Sequence, residues 1–264
     1  MYPGNHAIAC PTRPAVVMAQ TGETITYGEL AARANRLAHL FRARGLRPLD
    51  HYAIFMENNA RYVESCCAGE CSGLYYTCVN SYLTPEEVVY IVANSESRIL
   101  ITSQAKRSVA EAALKTCPNV ELCLIVDGEG DGGRLLNLDE ATASYSATPI
   151  ADEWLGTPML YSSGTTGQPK GILRPLAQQH PSQQLPLFAF LQRLWQYRDG
   201  MIYLSPAPLY QPDDPHRRDR DHHGAVRPGA LSAAGGDLQG HAQPACPEHV
   251  LAHAQAAGGR AAAP

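Results

Sequence analysis

Tyr161-Ser162-Ser163-Gly164-Thr165-Thr166-Gly167-Gln168-Pro169-Lys170-Gly171 holds three glycines, four serine or threonine hydroxyls and one lysine. Almost nothing in it can pack a core. Pro158-Met159-Leu160-Tyr161 leads in, and Ile172-Leu173 leads out before Pro175. Such flanks predict two strands joined by a glycine-rich loop. A loop of this kind offers backbone N–H groups and hydroxyls to an anion, and its lysine adds a positive charge. The first expectation is therefore a phosphate-binding loop.

Upstream, short strands and helices alternate. Residues 1–22 hold three prolines and little periodicity, and read as an irregular lead-in. Thr26-Tyr27-Gly28-Glu29 has capping-box spacing. Leu30, Ala34, Leu37 and Phe41 follow at helical spacing, and Gly45 suits the helix end. Tyr52 to Met56 is a strand candidate. Asn58 is the expected cap of a helix running through Tyr62, Val63 and Cys66 towards Gly73. Leu74 to Val79 reads as a strand. Thr84-Pro85-Glu86-Glu87 is a second capping box, with proline at the favoured first helical position. Strands follow at Ile99–Thr102 and Val120–Val126, with a helix from Lys106 to Thr116 between them and a turn over Asp127–Gly133. This alternation predicts an α/β fold, a parallel sheet with packed helices. Leu185–Tyr197 is a further helix candidate and Met201–Leu204 a further strand.

The chain has 264 residues, 45% of them hydrophobic, and a net charge of -4. That charge argues against nucleic acid as the main partner. No apolar run approaches the ~18 residues of a membrane span, and no signal peptide is evident, so the expectation is a cytoplasmic protein. Cys66, Cys67, Cys71 and Cys78 cluster, yet no Cys-x-x-Cys pair occurs, so reduced buried thiols are expected rather than zinc.

The composition breaks at Gln211. Residues 211–264 hold five large apolar residues, Val226, Leu231, Leu238, Val250 and Leu251, beside thirteen alanines and six of the ten histidines. No strand pattern survives there, and only the stretch near Ala252 could form a weak helix. Too little apolar surface remains to offset the entropy of ordering. The division expected is a first domain over 1–210 and a disordered tail over 211–264. Permitted codons for Glu248–Arg260, read one base later, can encode an apolar-rich peptide. A frameshift near Gln211 with early termination is therefore a further expectation, which the nucleotide sequence tests. A metal site on Asp221, His222 and His223 has only this tail behind it.

The glycine-rich loop admits three readings. A Walker-type loop would need a hydroxyl directly after the lysine and a helix beyond it; here Gly171 follows Lys170 and Pro175 comes soon after. A ligand-free surface turn is the second. The third is a resemblance. Ser162-Ser163-Gly164-Thr165-Thr166-Gly167-Gln168-Pro169-Lys170-Gly171 resembles, without a gap, the AMP-binding signature of the adenylate-forming superfamily. Thr26-Tyr27-Gly28-Glu29-Leu30, Val79-Asn80 with Leu83-Thr84-Pro85-Glu86-Glu87, and Tyr203-Leu204-Ser205-Pro206-Ala207-Pro208-Leu209-Tyr210 resemble other family segments in the same order. The resemblance covers roughly residues 12–210. Gly171-Ile172-Leu173-Arg174-Pro175 with Leu209-Tyr210 is most similar to acyl-CoA synthetases of the fatty-acid type.

The resemblance implies an N-terminal portion of the adenylate-forming fold. It implies ATP, Mg²⁺ and coenzyme A as cofactors and a carboxylic acid, with a fatty acid favoured, as substrate. It implies nucleotide-phosphate contacts from Ser162, Ser163, Gly164, Thr165, Thr166, Gly167, Lys170 and Gly171. Tyr210 is the acyl-pocket candidate; Gln211 stands where the family often has histidine. No catalytic residue and no metal ligand is assigned. The family's later runs for adenine, ribose and metal do not follow Gln211, nor does its small C-terminal domain. The alternative expectation is therefore a truncated fragment that keeps the phosphate loop without turnover.

Overall fold

The computed structural model describes residues 2–162, 168–183, 185–196, 201–205, 209 and 249–253. Its centre is β3 (His51–Phe55), of which Tyr52, Ala53, Ile54 and Phe55 are all 0% exposed. β4 (Tyr75–Cys78) pairs parallel with one edge of β3, and β5 (Ile99–Ser103) with the other. Beyond β5 lie β6 (Leu122–Val126) and β7 (Leu135–Asn137), both parallel. Beyond β4 lies β8 (Thr157–Ser162), parallel, and then the antiparallel β9 (Lys170–Ile172). The sheet thus has seven strands in the order β7-β6-β5-β3-β4-β8-β9.

Both faces of this sheet are covered, which is why its strands read as near-continuous apolar runs. Strand alternation sorts the side chains between two cores. Tyr52, Ile54, Ile99, Ile101, Leu122 and Leu124 face one way, onto Leu30, Leu37 and Phe41 of α2 (Tyr27–Ala43) and onto Tyr62 and Cys67 of α3 (Ala60–Ser72). Ala53, Phe55, Leu100, Cys123 and Ile125 face the other way. They meet Val88, Ile91 and Val92 of α4 (Pro85–Asn94) and Ala110, Ala113 and Leu114 of α5 (Arg107–Thr116).

Both expected capping boxes are formed. Glu29 N–H donates to Thr26 Oγ1 at 3.3 Å while Thr26 N–H donates to Glu29 Oε2 at 2.8 Å. The Thr84–Glu87 pair repeats the exchange at 3.4 and 2.8 Å, with Pro85 opening α4. Gly73 ends α3 at φ +66, in the left-handed region that favours glycine.

Several expectations need correction. Asn59, not Asn58, caps α3: its Oδ1 accepts from Arg61 N–H at 3.0 Å. Asn58 instead accepts from Leu209 N–H at 2.8 Å. The lead-in is not irregular. It contains α1 (Gly4–Ala9) and β1 (Pro14–Met18), and β1 pairs antiparallel with β2 (Thr24–Thr26). Within 211–264, where no strand was expected, His249–His253 form β11, and Ala252 lies in it rather than in a helix. β11 runs parallel to both β1 and β10 (Met201–Ser205), so its backbone groups are paired on both edges. The order of this second sheet is β10-β11-β1-β2. The rest of the expected disordered tail, including Asp221, His222 and His223, lies outside the described residues. Six described cysteines are free, as expected, but Cys10 is disulfide-bonded. The expected helix near 185–197 is α7 (Pro186–Leu194). No helix among the described residues is long and apolar enough to cross a membrane.

Candidate nucleotide-phosphate site

β8 and β9 form the strand–loop–strand unit that the sequence predicts. Their register sets Ser162 opposite Lys170, Tyr161 opposite Gly171 and Leu160 opposite Ile172. Directly opposed residues in an antiparallel pair share a face. Ser162 and Lys170 therefore project to one side, where both are exposed. Tyr161 and Gly171 belong to the other side. A Cβ on Gly171 would meet the end of the Met159 side chain and lie 3.2 Å from Tyr161 Cζ and Oη. Glycine at this position lets the tyrosine ring lie against β9.

Helix α4 holds the hairpin from behind. Tyr161 Oη donates to Asn94 Oδ1 at 2.7 Å. Tyr90 Oη donates to Pro169 O at 3.0 Å, just before Lys170. Burial, reinforced by the neighbouring Tyr90, pushes the Tyr161 phenol up to about 12, so it remains a donor at neutral pH. Both strands of the hairpin are thus tied to one helix, itself fixed at its start by the Thr84 capping box. The chain leaving β9 is tied to β4, because Tyr75 Oη donates to Arg174 O at 2.7 Å.

The approach to β8 is equally constrained. A Cβ on Gly156 would lie 2.6 Å from Leu74 O and press on Gly69 O, both backbone atoms. Gly156 N–H donates to Glu70 O at 2.9 Å, and Trp154 Nε1 donates to Ala177 O at 2.8 Å. β8 therefore starts from a fixed point, and the hairpin loop leaves its carboxyl end, where open α/β sheets generally place ligands.

Of the residues named from sequence, Ser162, Lys170 and Gly171 are brought together here. Ser163, Gly164, Thr165, Thr166 and Gly167 lie outside the described residues, as does Tyr210. Leu209, next to Tyr210, is tied to Asn58 and packs against the α2/α3 core. Sequence reasoning missed Tyr90, Asn94 and Tyr161. The available signal was the four-residue spacing of Tyr90 and Asn94 on one helix face, beside a tyrosine that closes an apolar strand. Among the described residues, no group of three or more His, Cys, Asp or Glu is gathered as a metal ion would need.

A mostly parallel sheet covered on both faces, with a hairpin carrying Ser162 and Lys170 at its edge, defines an α/β protein. The chain belongs to the AMP-binding enzyme family, whose model matches residues 5–211. It is 34% identical over 171 residues to the fatty acid–[acyl-carrier-protein] ligase ScoC of Streptomyces coeruleorubidus, covering 64% of this chain and 31% of that protein. It is 29% identical over 204 residues to an acetyl-coenzyme A synthetase of Magnetococcus marinus, covering 70% and 31%. The fold is that of the anthranilate CoA ligase AuaEII, solved with anthranoyl-AMP, at a TM-score of 0.55 and 22% identity, covering 64% and 33%. It also matches a candidate long-chain-fatty-acid CoA ligase of Rhodopseudomonas palustris at a TM-score of 0.67 and 19% identity, covering 96% and 56%. The chain spans about a third of the length of these curated relatives.

Proposed function

We propose that this chain carries the nucleotide-phosphate-binding part of an ATP-dependent acid–CoA ligase, with a fatty acid as the favoured carboxylic acid. The observation that supports it is the Ser162–Lys170 pair, set face to face at the mouth of a glycine–threonine loop inside the family match. In the reaction, a carboxylate oxygen bonds to the α-phosphorus of ATP and pyrophosphate leaves. The coenzyme A sulfur then bonds to the acyl carbon and AMP leaves. The first step moves negative charge onto the departing pyrophosphate, so fixed donors and a cation beside it lower the barrier. Lys170 would supply the cation, and Ser162 and the backbone around Gly171 the donors. Magnesium accompanying the triphosphate would neutralise part of its charge, and the described residues gather no separate site for it.

The phosphate roles of Ser163, Gly164, Thr165, Thr166 and Gly167, and the acyl-pocket role of Tyr210, belong to the same proposal. So does a cytoplasmic location, which the six free thiols support and the Cys10 disulfide opposes. A second reading is binding without turnover by these 264 residues alone. It is supported by the chain spanning only 31% of each of two curated relatives. Pyrophosphate release with ATP, Mg²⁺ and a panel of fatty and aryl acids separates the two, because turnover excludes the second. A thermal shift with ATP tests binding in either case. Lys170→Ala should abolish the shift, and an unchanged shift would place the nucleotide elsewhere.

A further inference from the structure

Ser182, His180 and Glu153 form a chain of hydrogen bonds outside the nucleotide-phosphate site. Ser182 and His180 lie between β9 and α7, and Glu153 lies just before β8. Backbone bonds hold the two segments together. Leu155 N–H donates to Gln179 O at 2.9 Å, beside the bond from Trp154 Nε1 to Ala177 O. Gln183 N–H closes a turn onto His180 O at 3.0 Å, and Gln179 Nε2 donates to Gln183 O at 2.9 Å. On one side of the imidazole, Ser182 Oγ stands 2.7 Å from Nδ1, and Ser182 N–H donates to the same atom at 3.2 Å. On the other side, Nε2 stands 3.0 Å from Glu153 Oε2. These contacts fix the tautomer. A backbone N–H can only donate, so Nδ1 accepts and carries no proton. The ring proton is therefore on Nε2, donated to Glu153, and Ser182 Oγ–H donates to Nδ1.

Glu153 is itself held. Tyr2 Oη donates to its Oε2 at 3.1 Å, and the Tyr2 ring meets the His180 ring edge-on at 5.7 Å. The Glu153 side chain is 7% exposed against 44% for His180, and Ser182 is exposed. The carboxylate thus lies behind the imidazole, and the hydroxyl faces solvent. A surface turn would be satisfied by Ser182 and His180 alone. A nucleophile needs the third member, because the carboxylate orients the base and stabilises the imidazolium that forms. We propose that Ser182 is an activated nucleophile, with His180 as its general base and Glu153 as the positioning residue, and that the three hydrolyse short carboxylic esters. Ser182 Oγ bonds to the acyl carbon while its proton passes to His180 Nδ1. The alcohol leaves with that proton. Water then attacks the acyl-serine, gives its proton to Nδ1, and the acid leaves as Ser182 regains its hydroxyl. The open position of Ser182 suits a small acyl group. This site does not depend on the activity proposed above.

The test uses the full chain without ATP or coenzyme A, so its outcome is separate from that of the ligase reading. One sample is treated with a fluorophosphonate, which bonds to an activated serine oxygen as fluoride leaves; another is given p-nitrophenyl acetate. The tryptic peptide spanning 171–193 should carry the phosphonyl group, and Ser182 is the only hydroxyl residue within it. Ser182→Ala should lose both the label and the ester hydrolysis. His180→Ala should slow both about a hundredfold, with circular dichroism confirming that each variant is folded. Glu153→Gln should lower kcat at unchanged KM, because a neutral amide does not stabilise the imidazolium, and Glu153→Asp should restore part of the loss. An unlabelled 171–193 peptide, undiminished hydrolysis in Ser182→Ala, full-rate labelling in His180→Ala, or an unchanged kcat in Glu153→Gln would overturn the proposal.

Discussion

Glu64→Gln is the most direct probe of the electrostatics built into α3. Burial drives the Glu64 carboxyl up from 4.5 to about 7, and the attraction of Arg61 and Arg33 only partly opposes it. In the unfolded chain the group titrates near its ordinary value. Between the two values the folded chain holds a proton that the unfolded chain has released, so raising the pH favours unfolding. The contribution is fully present below about 4.5 and lost by about 7. At about 1.4 kcal/mol per pH unit the loss is about 3 kcal/mol. Glutamine keeps the shape of the side chain and does not titrate. The stability of the unaltered chain relative to Glu64→Gln should therefore fall by about 3 kcal/mol across that interval and stay level above it. The interaction of Arg61 with Asp139, whose carboxyl is held below its usual range first by that hydrogen bond, slopes the other way in both chains and cancels in the difference. Urea unfolding of both proteins in phosphate-free buffers across the interval measures it. A pH-independent difference would refute the reasoning. It would mean that the 2.8 Å approach of Arg61 outweighs burial and keeps Glu64 ionised throughout.

Tyr90→Phe removes the hydrogen bond to Pro169 O, so it should cost about 1 kcal/mol and shrink the ATP-induced thermal shift while leaving Lys170 in place. An undiminished shift would show that α4 does not position β9. Thr84→Ala removes the α4 cap and should lower stability by about 1 kcal/mol in thermal melts; no loss would mean that the reciprocal bonds are idle in solution. Gly156→Ala forces a methyl group against backbone carbonyls that cannot swing aside, so a loss of about 1–3 kcal/mol is expected. A neutral result would place β8 further from α3 than described here.

What the sequence disclosed follows from how local each signal is. The hairpin was legible because its glycines, hydroxyls and flanking apolar residues lie within one short stretch. Thr26 and Thr84 announced α2 and α4 because a capping box is written in four consecutive residues. Asn58 and Asn59 compete for one cap, and composition alone does not choose between neighbours. Helix α6 (Leu138–Thr142) passed unnoticed although Asn137, whose Oδ1 accepts from Glu140 N–H at 2.9 Å, has the capping spacing. The β1 and β11 strands were hidden for another reason. Each completes its pairing only across most of the chain's length. The chain of Ser182, His180 and Glu153 was illegible in principle, since Glu153 lies 27 residues before His180 and reaches it only in the folded chain. At the candidate site, Lys170 could be named from motif alone. The tyrosines behind it could not, because Tyr90 and Tyr161 meet the hairpin only in the folded chain.

The placement of β3 at the centre and β9 at the edge of one sheet has a consequence for hydrogen exchange. β3 is paired on both edges and covered on both faces, so its amides should exchange only when the whole chain unfolds. β9 is a terminal strand with all three residues exposed, so its amides should exchange through small local openings. Protection should therefore decline stepwise from β3 through β4 and β8 to β9. A ligand held at the hairpin would slow exchange in β9 first, and could reorder that strand without drawing on the stability of the centre.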